Sequence, residues 1–371
     1  MEIKTCLTCI LDNQDDKDIA FDENGVCHYC RSYEVQMKQI GTLEEREKEL
    51  LKMISKIKAA GKGKKYDCLL GVSGGVDSSY MAYLAKKYDL RPLIIHLDNG
   101  WNSDTAVSNI ERICTSLGFE LHTYVIDWEE FVGMQKAYIR AGVVDIEVLT
   151  DHAIKAITQK LSKKYGVKYS LSGFNLVTEA IMPKGWTHSK KDYLNIKDIV
   201  LKFGDGIKIK SFPRITFYKG LINYWWYKLE SFHILNYLPY NKVEAKALLK
   251  KEFDWVDYGG KHYESIFTKF YQAYILPTKF GIDKRKAHLS NLICSGQITR
   301  EKALEELKKP LYDDPKELAF EKEYVLKKLN WSEKYFDDLM KQTPREHEDF
   351  DSDKRLWDNY FKFVQLLKFW R

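Results

Sequence analysis

Residues 71–79 read GVSGGVDSS and follow directly on the apolar run YDCLL at 66–70. Gly74 and Gly75 permit positive φ and close backbone approach, so successive N–H groups can turn inward as an anion nest. A helix opening at Ser78 would add the positive end of its dipole, and Ser73, Ser78 and Ser79 supply hydroxyl donors. The Gly-Lys-Ser/Thr ending of a kinase-type phosphate loop is absent. Asp77 is the distinctive residue, because a carboxylate beside bound phosphate is repelled unless Mg²⁺ lies between them. A simple Gly-Ser turn would use the same residues, but a strand before and a helix after favour the phosphate.

Four of the seven cysteines fall in the first thirty residues, as Cys6-x2-Cys9 and Cys27-x2-Cys30. Two such knuckles can close a tetrahedral thiolate site. The segment between them is too polar to build its own core, so a bound metal would contribute much of its folding free energy. A closed four-Cys site has no open coordination position, which points to structural Zn²⁺. The same thiolates could hold an iron–sulfur cluster, and the spacing leaves both open.

These groups need elements to position them. The segment 42–60 carries Leu43, Leu50, Met53, Ile54 and Ile57 at helical spacing. Strands are expected at 66–72 and 92–98, in ELHTYVID, and in VKYSLSG, separated by helices at 78–88, 104–117, 128–140 and 150–165. That alternation predicts α/β architecture, a parallel sheet covered on both faces. After about residue 185 the alternation fades into an aromatic-rich, mainly helical remainder. The expected organisation is a metal module at 1–40, a connecting helix at 41–60, the sheet domain at 61–185 and a helical region at 186–371.

The chain has 371 residues, 44% hydrophobic and 30% charged, with net charge +6 and both signs interleaved. No concentrated basic tail points to nucleic acid, while a weakly basic surface suits an anionic substrate. No apolar run approaches the roughly 20 residues that span a bilayer, and MEIKTCLTC lacks a signal peptide's apolar core. A cytosolic, reducing location is therefore expected, where paired cysteines serve metal or redox chemistry.

Ligands of open parallel sheets sit beyond the carboxyl ends of the strands, here SGGVDSS, LDNGWNS (97–103) and LSGFNLVTE (171–179). SGGVDSS resembles the pyrophosphate loop of the ATP pyrophosphatases, which include GMP, NAD and asparagine synthetases and several tRNA-modifying enzymes. The resemblance implies an adenine nucleotide alpha hydrolase-like fold and ATP split between its α and β phosphates. It assigns nucleotide contacts to Ser73, Gly74, Gly75, Asp77, Ser78 and Ser79, and to Asp98 at the second strand end. Gly173, Asn175 and Glu179 resemble the Gly-x-Asn/Asp...Glu pattern that meets phosphate or Mg²⁺, although an Asn and Glu opening a helix also serve as plain caps.

Three further stretches, WVDYGGKHYES (255–265), TKFYQAYILPTKFGIDKRKAHLS (268–290) and NLICSGQITREKAL (291–304), join the four-Cys module and LDNGWN. Together they resemble the WbpG/PseA-type N-acetyl sugar amidotransferases of bacterial surface-polysaccharide synthesis. The resemblance implies that a sugar acetamido oxygen attacks the α-phosphorus of ATP and releases pyrophosphate. Ammonia then displaces AMP from the adenylylated imidate, leaving an acetamidino group. Pyrophosphate departure needs cations, for which Lys279, Lys284, Arg285 and Lys286 are candidates. Asp77, Lys284 and Arg285 are the expected catalytic set, although a solvated basic turn would look the same.

Asp151, His152, His262 and His288, with Lys279 and Lys286, are candidates for an anionic N-acetyl sugar. A helix cap for Asp151 and structural roles for the histidines are the plain alternatives. No glutaminase signature accompanies Cys68, Cys114 or Cys294. Family resemblance therefore implies a separate glutaminase subunit like that of imidazole glycerol phosphate synthase, with that system's cyclase-like barrel as ammonia conduit. A tRNA thiolase adenylating a base, and a non-catalytic ATP-binding module, are the rival functions.

Overall fold

The computed structural model describes residues 2–259 and 263–369. The amino-terminal module ends in α1 (His28–Gln39), and α2 (Leu43–Gly61) follows, opened by a capping box between Thr42 and Glu45. Such a cap contributes about 1 kcal/mol, which fixes where the connecting helix starts. The alternating part then runs β1 (Cys68–Gly71), α3 (Val76–Lys87), β2 (Pro92–Asp98), α4 (Asp104–Leu117) and β3 (Leu121–Val125). It continues through α5 (Trp128–Ala141), α6 (Val148–Tyr165), β4 (Tyr169–Leu171) and α7 (Leu176–Glu179).

Beyond these come α8 (Tyr193–Phe203), α9 (Phe217–Ile222), β5 (Glu230–Phe232) and α10 (Lys242–Phe253). The carboxy-terminal helices are α11 (Ile266–Phe270), α12 (Arg285–Cys294), α13 (Arg300–Lys308), α14 (Pro315–Leu329), α15 (Glu333–Lys341) and α16 (Lys354–Phe369). Two π-helical stretches, Asn223–Tyr227 and Tyr271–Phe280, extend α9 and α11.

One five-stranded sheet has the order β3-β2-β1-β4-β5, and every neighbouring pair is parallel. The sheet does not end near residue 185 as expected. β5 joins β4 at register Tyr169↔Glu230, inside the aromatic stretch assigned to helix. Three residues reading ESF carry no apolar run from which a strand could be read, and β4 supplies the pairing.

Central β1 is buried on both sides. Leu69 enters the core formed with α5 and α6, whereas Cys68 and Leu70 enter the core formed with α2, α3, α4 and α10. Each of these leucines contributes on the order of 1.5–3 kcal/mol by leaving water, so the strand carrying the glycine loop is anchored from both faces.

Candidate functional site

β2 and β3 lie on one side of β1, and β4 and β5 on the other, so the winding reverses between β1 and β4. In open parallel sheets such a switch point, at the carboxyl ends of the strands, is where ligands bind. The GVSGGVDSS loop leaves β1 on one side, and the turn carrying Gly173 leaves β4 on the other. A β-carbon on Gly173 would lie 3.3 Å from the Ser78 backbone nitrogen and 3.4 Å from Asp77 Cβ, so the first and third strand ends meet. Buried His96 of β2 holds the loop's start, with Nδ1 3.1 Å from the Val72 carbonyl and the Asn102 amide donating to Nε2 at 3.2 Å. Burial keeps this imidazole below its ordinary pKa, in the neutral form these two bonds require.

Inside the loop the Ser73 N–H donates to Ser78 Oγ (3.2 Å), and the Ser78 hydroxyl donates to the Gly75 carbonyl (3.1 Å). Gly74 has φ +84°, and a β-carbon there would stand 2.5 Å from the carbonyl oxygen of Ala106 on α4. Its own carbonyl accepts from the indole of Trp255 at 2.9 Å. Glycine is thus demanded by backbone conformation and by packing together. Ser79 departs from expectation: helical geometry turns it into the protein, fully buried and with its hydroxyl unpaired among the described residues, away from any ligand in the loop.

The hydroxyl of Tyr240 donates to Asp77. Burial first, then the Asp77 charge and hydrogen bond and the Glu179 charge, push that phenol far above its usual range. Asp77 therefore stands against a buried phenol beside the anion nest, a carboxylate oxygen donor that fits a hard cation such as Mg²⁺. On the other side, a β-carbon on Gly75 would meet Tyr258 Oη at 2.7 Å and Glu264 Oε1 at 3.8 Å. The Tyr258 hydroxyl donates to Glu264 at 3.3 Å, and burial followed by Glu264 and Asp77 raises this phenol too. Tyr240, Tyr258 and Glu264 were not anticipated. Tyr258 and Glu264 do lie in WVDYGGKHYES, but only tertiary structure places that stretch over the loop.

Asp98 stands at the end of β2 and accepts from the Gly100 N–H (2.9 Å) and the Asn102 amide (3.3 Å). Asn175 is fully buried as the cap of α7, accepting from the Thr178 N–H at 2.9 Å and donating to the Gly173 carbonyl. The cap, not phosphate, takes its amide. Asp151 does not cap α6, since Glu147 holds that position, and it pairs with Lys190 at 3.3 Å. His152 has no exposed surface: Ile215 N–H donates to Nε2 (3.0 Å), and Nδ1 faces the Lys190 carbonyl (3.0 Å). Both ring nitrogens serve the core, so a substrate role for His152 is corrected to a structural one.

The basic segment divides. Lys284 forms an ion pair with Glu147 at 3.2 Å. Arg285 forks Asp283 and donates to the Lys309 and Glu306 carbonyls at the end of α13, so it is a helix cap and not a phosphate clamp. Lys279 does the same for α15 through the Leu339 and Gln342 carbonyls. Lys286 bridges Asp12 (2.8 Å) and Asp15 (2.9 Å) and ties α12 to the amino-terminal module. Helix-end carbonyls and carboxylates have engaged all four cations. His288 is half-buried on α12, and His262 lies outside the described residues.

The sulfurs of Cys6, Cys9, Cys27 and Cys30 lie within 4.8 Å of one another, all four residues buried. Sγ–Sγ separations are 3.9 Å (Cys6–Cys30), 3.7 Å (Cys9–Cys27) and 3.6 Å (Cys27–Cys30). Four thiolates around one tetrahedral ion at a Zn–S distance of about 2.3 Å stand about 3.8 Å apart, so the spacing fits a single ion. A multi-iron cluster has to spread the same sulfurs further. Arg300 of α13 donates to the Cys9 and Cys6 carbonyls, at 3.0 and 3.3 Å, so the module is clamped by the carboxy-terminal helices.

A parallel sheet in this order, with a lysine-free glycine loop at its switch point, is the α/β architecture that the loop's resemblance to the ATP pyrophosphatases predicts, here with a four-Cys module and a helical carboxy-terminal region. Residues 264–365 match the family described as "LPS biosynthesis protein WbpG-like, C-terminal domain". An uncharacterized protein of Methanocaldococcus jannaschii is 24% identical over 319 residues, spanning 84% of this chain and 95% of its own length. The tRNA(Ile)-lysidine synthase of Chlamydia pneumoniae is 35% identical over 64 residues, 17% of this chain and 20% of that protein. The NH3-dependent NAD synthetase of Campylobacter jejuni, solved with nitrate, aligns at TM-score 0.28 and 18% identity, over 36% of this chain and 58% of its own. No helix among the described residues is long and apolar enough to cross a membrane.

Proposed function

We propose that this chain is an ATP-dependent amidotransferase that converts a sugar N-acetyl group into an acetamidino group, releasing AMP and pyrophosphate, in bacterial surface-polysaccharide synthesis. One observation carries the reading. Glu264, the first residue of the WbpG-like segment, reaches the glycine loop through Tyr258, so the phosphate-binding end of the sheet and the family-specific segment share one site.

The acetamido oxygen attacks the α-phosphorus of ATP, and pyrophosphate leaves into the nest of loop N–H groups between Ser73 and Ser78. Mg²⁺ held by Asp77 and Glu179 would neutralise the phosphate charge. Ammonia adds to the imidate carbon, AMP departs, and Glu264 is the carboxylate positioned to accept the proton released. Tyr240 and Tyr258 cover the loop and limit water, which would otherwise hydrolyse the adenylylated intermediate. Lys284, paired with Glu147, is the cation we assign to an anionic sugar once that pair opens. The four-Cys site holds Zn²⁺ as a structural ion, and ammonia arrives from a separate glutaminase with a cyclase-like barrel.

The test is incubation with ATP, Mg²⁺, ammonium and either a nucleotide-linked diacetamido uronic acid or a nonulosonic acid. Mass spectrometry should find a sugar lighter by the difference between oxygen and NH, together with AMP in equal amount. The short match to a tRNA-modifying enzyme makes tRNA the control substrate. AMP formation that depends on tRNA and not on sugar would refute the proposal.

A further inference from the structure

Away from the strand ends, the last turns of α6 and the segment 214–223 enclose a concavity of about 430 Å³. Lys160, Lys163, Lys164, Arg214 and Lys219 line it, and no carboxylate does. Among the described residues none of these five cations forms an ion pair. Lys163 stands over the ring of Tyr227 (4.3 Å), Lys164 over Tyr165 (5.0 Å) and Arg214 over Tyr193 (5.9 Å), so their neighbours are aromatic faces. Elsewhere the lysines are commonly matched with acids, as Lys48 with Glu44, Lys269 with Glu321 and Lys322 with Asp337. Partial desolvation and then the neighbouring Lys219 hold the Lys163 ammonium below its ordinary pKa.

The helix dipole accounts for Lys163 and Lys164 at the end of α6, but not for Arg214 and Lys219, which arrive from another segment. Beside the concavity, α9 and its π-helical extension present Tyr218 (75% exposed), Ile222 (49%), Trp225 (49%) and Trp226 (79%) to solvent. Soluble proteins rarely expose so much contiguous aromatic and aliphatic surface without a use for it. α9 is held in place from beneath: Gly220 lies against Trp357 of α16, whose indole would be 2.4 Å from a β-carbon there.

We propose that this face is a docking surface for an anionic lipid bilayer, the cations taking headgroup phosphates and the aromatic rim entering the interface. Lysine is depleted from the cores of protein–protein interfaces, whereas lysine with Trp, Tyr and Ile is the composition of interfacial membrane binders. Nucleic acid would also satisfy the charge, but Ile222 and the aliphatic surface around it gain nothing from a phosphate backbone. Because α6 leads into the amino-terminal end of β4, a bilayer here leaves the opposite, carboxyl end of the sheet open to soluble nucleotide. The inference does not rest on the proposed reaction.

The test is co-sedimentation of the full chain with vesicles of phosphatidylcholine alone, or mixed in equal parts with phosphatidylglycerol. Binding is expected only to the mixed vesicles, and it should weaken as salt is added. Replacing Lys160 and Lys163 by Ala should weaken it about thirtyfold, and Trp226→Ser about tenfold, with thermal unfolding unchanged because these side chains are exposed. The paired change Lys250→Ala and Lys251→Ala, on α10, should leave binding intact. Absence of sedimentation, equal binding to neutral vesicles, full binding by the Lys160/Lys163 variant, or displacement of vesicles by a single-stranded RNA oligomer would each overturn the proposal.

Discussion

Gly74→Ala separates two reasons for a glycine and links the loop's geometry to its stability. At φ +84° an alanine pays the left-handed penalty of about 1–2 kcal/mol. Its β-carbon would also stand 2.5 Å from the Ala106 carbonyl oxygen and 3.0 Å from Ala106 Cα, both backbone atoms of α4 that cannot rotate away. Overpacking of this kind costs a further 1–3 kcal/mol or so. Gly63 provides the control, since it has φ +75° and a β-carbon there would meet nothing within 4 Å. Gly63→Ala should therefore show the conformational penalty alone. By differential scanning fluorimetry Gly74→Ala should melt below Gly63→Ala by on the order of 2–6 °C, taking about 2 °C per kcal/mol for a chain of this size. Mg-ATP should raise the melting temperature of Gly63→Ala but not of Gly74→Ala, whose loop can no longer rest on α4. Equal losses in the two variants, within about 1 °C, would refute the packing argument.

Asp77→Asn should lower sugar-dependent pyrophosphate release by about 10²–10³-fold, and Glu264→Gln should lower turnover while leaving ATP binding intact, both read in a coupled phosphate assay. Arg285→Ala should cost about 1–3 kcal/mol in urea unfolding by exposing the carbonyls that end α13, with turnover per folded molecule unchanged, the opposite of what a catalytic arginine would show. His152 is held at about 4 against an ordinary 6.5, mainly by burial. The unfolded chain therefore binds the extra proton between those values, and this contribution is complete above pH 6.5 and lost as pH falls towards 4, on the order of 3 kcal/mol in all. Denaturation across that window should show a shallower slope for His152→Gln. Cys27→Ser should abolish binding of one metal ion per chain by elemental analysis. It should also open the amino-terminal module to limited proteolysis, because Lys286 and Arg300 then clamp a segment without its own core.

Much of the fold was legible because hydrophobic period and turn chemistry are local. β2 and α4 begin and end where the pattern places them, and the strand before GVSGGVDSS is buried on both faces, as an apolar run between helices requires. β5 was not legible, because three residues gain strand structure only from β4 beside them. The cysteine knuckles were legible as a ligand set, and the structure brings their four sulfurs within 4.8 Å of one another. Among the cations, spacing in KFGIDKRKAHLS could not say which helix ends needed a cap. The ends of α13 and α15, and the acids of the amino-terminal module, took Arg285, Lys279 and Lys286.

GVSGGVDSS by itself determined that the chain has a glycine loop without a lysine and with a carboxylate. Conformational freedom at Gly74 and charge at Asp77 are properties of residue type, and they do not depend on what folds around them. Tertiary structure alone decided what faces that loop, because neighbours across a switch point are set by strand order and not by distance along the chain. Tyr240 arrives beside Asp77, and Tyr258 and Glu264 over Gly75, from segments about 160 to 190 residues away. The same packing withdrew Ser79, Asn175 and His152 into the core, where buried polar groups must find partners inside the protein or go without.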